Sequence, residues 1–107
     1  MGGGVGSTRW VKDKDGNEFA LYDETWRHIR QFHPEISRVE IIESVLLEPD
    51  VMMRSSWDPN SLLYYRRCGH LYRVVVVQTE ERRIKTTLTE RKIKEGEIVW
   101  LNPRLLV

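Results

Sequence analysis

A single cysteine, Cys68, leaves this chain without an internal disulfide framework and fits a reducing compartment. The cytoplasm is the default expectation. No apolar run is longer than Val74-Val75-Val76-Val77, far short of the about 20 residues a membrane helix needs, so no membrane partner is expected. The opening Met1–Thr8 has no charged n-region and no apolar h-region, so it does not read as a signal peptide. Metal and nucleotide signatures are also missing. His28 and His33 are five residues apart and diverge on a helix, one cysteine cannot make a zinc motif, and neither a phosphate-binding glycine loop nor a serine nucleophile elbow occurs. No metal and no cofactor is therefore expected.

What is present fits one domain. The chain has 107 residues, 40% hydrophobic and 31% charged. That size buries roughly two thirds of the unfolded surface around one core. Residues 1–14 read as a flexible Gly-rich N-terminus and residues 15–107 as a single domain. Net charge is only +1, but it is unevenly spread. Residues 15–60 carry ten acids against four arginines, and residues 61–94 carry nine bases against three glutamates. Such asymmetry suits either a polyanionic ligand on the second half or an acidic helical layer that complements a basic sheet.

Periodicity gives the elements. Asp13-Lys14-Asp15-Gly16-Asn17 is a turn signal, and Glu18–Tyr22 alternates as a short strand or extended lead-in. Asp23 opens a helix running to about His33, with Trp26, Ile29 and Phe32 as its apolar stripe. Pro34 suits the first turn of a second helix with Ile36, Val39, Ile42, Val45 and Leu46. Val51–Ser56 reads as a strand. Leu62–Arg67, Leu71–Thr79 and Arg82–Thr89 follow as a hairpin-linked meander, and Ile93–Trp100 adds an edge. The expectation is an α+β fold, two N-terminal helices packed on an antiparallel β-sheet of about four strands.

Three histidines stand out, because imidazole both takes and gives a proton near neutral pH. His70 lies in a turn, whereas His28 and His33 share the first helix. Period two sorts the strands: Ile84, Thr86 and Leu88 on one face, Arg83, Lys85, Thr87 and Thr89 on the other. Arginine forks and threonine hydroxyls suit phosphate. Tyr64, Tyr65 and Tyr72 offer rings for unpaired bases, although adjacent tyrosines also pack well in sheets.

The run Asp23-Glu24-Thr25-Trp26-x-His28-Ile29, His33-Pro34-Glu35, Pro49-Asp50, Leu62-Leu63-Tyr64-Tyr65-Arg66, Tyr72-x-Val74-Val75-Val76-Val77 and Lys92-Ile93-Lys94-x-Gly96-Glu97, taken in order, resembles the phage and bacterial nuclease-like proteins of the barnase–EndoU–colicin–RelE group. The resemblance spans about residues 20–100. It implies metal-independent RNA cleavage, often in a toxin role held by an acidic antitoxin or immunity protein. The family's helix histidine falls on His28, with His33 second, its strand arginine on Arg66 and its last-strand threonine on Thr86 or Thr87. Members often show Thr-Ala-Tyr there; this chain has Thr86-Thr87-Leu88 and no matching tyrosine hydroxyl. The expected catalytic set is His28, His33, Arg66 and Thr87, and the expected RNA-binding set is Arg67, Arg83, Lys85, Tyr64, Tyr65 and Thr86. A non-catalytic RNA- or protein-binding module of the same fold is the alternative.

Overall fold

The structure, a computed structural model, describes residues 8–94 and 96–106. Residues 1–7 of the expected flexible arm lie outside the described residues. The described chain runs β1 (Thr8–Lys12), β2 (Glu18–Tyr22), α1 (Asp23–Phe32), α2 (Val39–Leu47), β3 (Val51–Ser55), β4 (Ser61–Cys68), β5 (Leu71–Gln78), β6 (Arg83–Glu90), β7 (Gly96–Leu101) and a terminal 3₁₀ turn, Pro103–Leu106. No described helix is long and apolar enough to cross a membrane.

Two helices are present as expected, but the four-stranded antiparallel sheet is overturned. All seven strands of the described residues join one mixed sheet, in the order β1-β2-β6-β5-β4-β3-β7. The central β3–β6 block is antiparallel throughout. The additions are at the margins. The Asp13–Asn17 turn closes a β1–β2 hairpin in which Thr8–Lys12, part of the expected flexible arm, pair with Glu18–Tyr22. That hairpin then docks parallel to β6, which no chain of tight turns would produce. It does so through one ladder pair, Ala20 with Arg83, supported by the Ala20 N–H donating to the Arg82 carbonyl at 2.8 Å. Arg82 adopts φ 52° to present that carbonyl, the only positive φ outside glycine among the described residues.

Both helices cover one face of the sheet. Ile29, Ile36, Ile42, Val45 and Leu46 pack there against Val11, Leu21, Tyr64, Val75, Val77 and Ile84. Each such fully buried aliphatic side chain contributes roughly 1.5–3 kcal/mol. The opposite face carries a smaller cluster, Val51, Met53, Tyr65 and Val74, against which Ile93 packs. The second helix begins at Val39, not Pro34. His33 to Ile36 instead form a turn, in which the Ile36 N–H donates to the His33 carbonyl and Arg30 Nη1 donates to the carbonyls of Pro34 and Ile36. Phe32, expected in the stripe of α1, is exposed.

The strict alternation expected along β6 also fails. Val76 pairs with Thr86 but Val77 pairs with Ile84, so Lys85 is an extra, bulged residue. The bulge puts Ile84 and Thr87 on the helix-covered face, with Thr86 and Leu88 on the open one.

Candidate functional site

The expected site residues divide between the two faces. Register partners in an antiparallel ladder share a face, so Arg66, Arg73 and Thr89 form one row across β4, β5 and β6. Tyr64 and Val75, two positions away, belong to the core under the helices, which places this row on the helix-covered face, at one end of it.

His33 reaches the row through its neighbour. It caps α1, its N–H donating to the Ile29 carbonyl at 2.7 Å, and Pro34 then turns the chain down toward the sheet. Thr89 Oγ1 donates to Glu35 Oε2 at 2.8 Å. His33 Nδ1 lies 3.9 Å from that same oxygen. Imidazole, carboxylate and hydroxyl therefore converge beside Arg73. Arg73 has no ion pair or side-chain hydrogen bond among the described residues. Like charges directly opposite one another on a sheet repel, and Arg66 is its cross-strand partner. Arg66 is held from the other side. Its Nη1 donates to the carbonyls of Ser44 and Glu48, both at 3.3 Å, and lies 3.6 Å from the Glu48 carboxylate. A cation at the carbonyl end of α2 is favourable, so Arg66 also serves as a clamp on the helix.

The other expected catalytic groups lie elsewhere. His28 is exposed on α1, its ring 4.6 Å from that of Phe32, and touches none of the row. Thr87 shares the helix-covered face but is fully buried, and its Oγ1 lacks a hydrogen-bond partner. Thr89, one pleat further out, occupies the place at the row. Glu35, Arg73 and Thr89 went unselected by the sequence. The signals were Glu35 two residues after His33 and the period-two relation of Arg73 to Val75 and Val77.

Most of the expected RNA-binding residues lie on the open face. Arg67 donates through Nε to the Gly69 carbonyl and its guanidinium lies 5.7 Å from the Tyr72 ring. Lys85 Nζ reaches Ser61 Oγ at 3.1 Å and Asp58 at 3.6 Å. Arg83 pairs with Glu81 at 3.0 Å, and Thr86 is half-exposed. Neither adjacent tyrosine offers a free ring. Tyr65 is buried on the open face, edge-on to Tyr72, and burial pushes its hydroxyl pKa up. Tyr64 is buried under the helices and donates to Asp13 Oδ2 at 2.6 Å. Burial and the Asp13 carboxylate hold the Tyr64 hydroxyl well above its ordinary pKa. Among the described residues no three His, Cys, Asp or Glu side chains gather as metal ligands would. Comparison with family models, with curated proteins and with solved structures found no match.

Proposed function

We propose that the chain is a metal-independent endoribonuclease whose scissile phosphate lies over the Arg66–Arg73–Thr89 row. One observation carries this reading: among the described residues Arg73 stands unpaired, cross-strand from a second guanidinium and next to a carboxylate and an imidazole that share one contact. A phosphate between Arg66 and Arg73 relieves their repulsion and accepts bidentate hydrogen bonds. Glu35 takes the proton of the ribose 2′-hydroxyl, and that oxygen attacks phosphorus. His33 gives a proton to the departing 5′-oxygen. The arginines stabilise the charge that builds on the phosphorane. The products are a 2′,3′-cyclic phosphate and a free 5′-hydroxyl. The resemblance to the barnase–EndoU–colicin–RelE group supports the same chemistry, with His33 in place of His28. Such an enzyme in a cytoplasmic setting calls for an inhibitor, and an acidic antitoxin or immunity protein complements the basic β4–β6 region.

The test is incubation of the purified chain with total RNA in EDTA. His33→Ala and Arg73→Ala are each expected to slow cleavage by roughly 10²–10⁴ fold, while His28→Ala leaves it near wild type. RNA with a 2′-deoxy sugar at the cut site should resist. Cleavage that survives both the His33 and Arg73 changes refutes the assignment.

A second reading rests on the open face, where Arg67, Lys85 and Thr86 share one side away from the row. It is a binding module for RNA or an acidic protein. RNA binding that weakens steeply with salt, with no cleavage product, favours it.

A further inference from the structure

A cavity of about 240 Å³ opens where the β1–β2 hairpin meets the rest of the sheet, on the helix-covered face but at the opposite end from the His33 row. Asp13, Asn17, Glu18 and Phe19 line it from the hairpin. Leu62, Tyr64, Thr79 and Arg82 line it from the main sheet. In its polar lining both hydroxyl hydrogens and one of the two Asn17 amide hydrogens are already committed. The Tyr64 hydroxyl donates to Asp13. The Thr79 hydroxyl donates to the Asn60 carbonyl at 3.0 Å. The Asn17 amide nitrogen is turned to Asp13, also at 3.0 Å. The Tyr64, Thr79 and Asn17 side-chain oxygens still offer acceptor lone pairs, whereas each Asp13 oxygen already accepts two hydrogen bonds.

Two carboxylates add negative charge. Asp13 is buried and pairs with no cation among the described residues. Burial alone would raise its pKa, but bonds from Tyr64, Asn17 and Asp15 outweigh that and keep it ionised. Glu18 has no side-chain partner among the described residues. Arg82, whose side chain is equally unpartnered among the described residues, is the one cationic donor in the lining, and it also lines the more open neighbouring cavity of about 420 Å³, so it stands where the two join.

We propose that this cavity binds a small organic cation, a primary ammonium on a short apolar stem. The ammonium supplies the three donors that the acceptor lining calls for, and the stem lies along Phe19 and Leu62. Arg82 at the junction repels a bare amine and attracts a carboxylate carried at the far end of the ligand.

The test is titration of the intact protein with n-butylammonium, γ-aminobutyrate and butyrate, followed through the backbone amides of Asn17, Phe19 and Thr79 by NMR. Butylammonium and γ-aminobutyrate should give saturable shifts there, and butyrate none. Glu18→Gln, an exposed change that leaves the core intact, should weaken butylammonium roughly fivefold to tenfold. Arg82→Gln should tighten butylammonium and weaken γ-aminobutyrate, moving the two in opposite directions. Thr79→Val, which replaces an acceptor with a methyl group, should weaken both amines. Butyrate binding as well as the amines, no saturable shift with any ligand, or an unchanged affinity in Glu18→Gln would each overturn the assignment. RNA cleavage is not part of the readout, so the outcome is independent of the proposed nuclease site.

Discussion

The two faces of the sheet are built from the same strands and hold different things. Under the helices lie the larger core, the unpaired Arg73 and the His33–Glu35–Thr89 contact. The open face holds a smaller core and cations that mostly answer to near neighbours, Lys85 to Asp58, Arg83 to Glu81 and Lys94 to Glu90. Exposed pairs of that sort contribute little to stability. What distinguishes the helix-covered face is a charge left without a partner beside groups that can move a proton. Counting bases in a segment does not reveal this; assigning each base to a face does.

The comparison can be broken first in the cores. Ile84→Ala, under the helices, is expected to cost about 2–5 kcal/mol, and Leu88→Ala, half-exposed on the other side, about 1–2 kcal/mol. Urea denaturation of both variants checks this, and equal losses would mean that the open face is as well packed as the covered one. The adjacent tyrosines sharpen it next. Tyr64→Phe removes one of the four hydrogen bonds to the buried Asp13 carboxylate and should cost about 1–3 kcal/mol. Tyr65→Phe removes only a 3.4 Å contact from the Lys94 N–H and should cost less than about 1 kcal/mol.

Acid titration tests the same contact. The folded-state pKa of Asp13 is depressed, so its stabilising contribution is complete above the unfolded value and disappears as pH falls through the lower, folded one. Melting temperature should therefore drop more steeply on the acid side for wild type than for Asp13→Asn. A matching acid limb in the two proteins would remove Asp13 from the account. The smallest effect concerns Arg82. Asparagine tolerates the left-handed region better than arginine, so Arg82→Asn should gain about 0.5–1 kcal/mol, read as a slightly raised melting temperature.

Much of the chain could be read directly. The four valines mark β5, with Val74, Val75 and Val77 buried; the Cys68-Gly69-His70 turn closes the β4–β5 hairpin with Gly69 at φ 65°; and Gly16 at φ 85° completes the turn after Lys12. Period and turn chemistry are local, so they survive without knowledge of the fold. The rest depended on distant pairing. The β2–β6 contact joins residues some sixty positions apart through one ladder pair and leaves no mark in either strand. The Lys85 bulge reverses the face of everything before it relative to everything after, which is why Thr87 was grouped with Arg83 and Lys85. Pro34 suits the first turn of a second helix, but Arg30 bonds to the carbonyls of Pro34 and Ile36 and the chain turns there instead. Arg66 was visible as a charge, but its tie to the end of α2 required the helix to be in place.

The β1–β2 hairpin meets the next strand of its sheet through a single rung, so core packing by Val11, Phe19 and Leu21 and the Tyr64–Asp13 bond hold it more than its ladder does. The first backbone amides to exchange with solvent should be those of the β1–β2 unit near Ala20, ahead of any in the β4–β5 ladder. Each such excursion widens the gap beside Phe19 and Leu62, so a guest seated there would hold the hairpin closed and slow that exchange, a communication between a small molecule and the edge of the sheet.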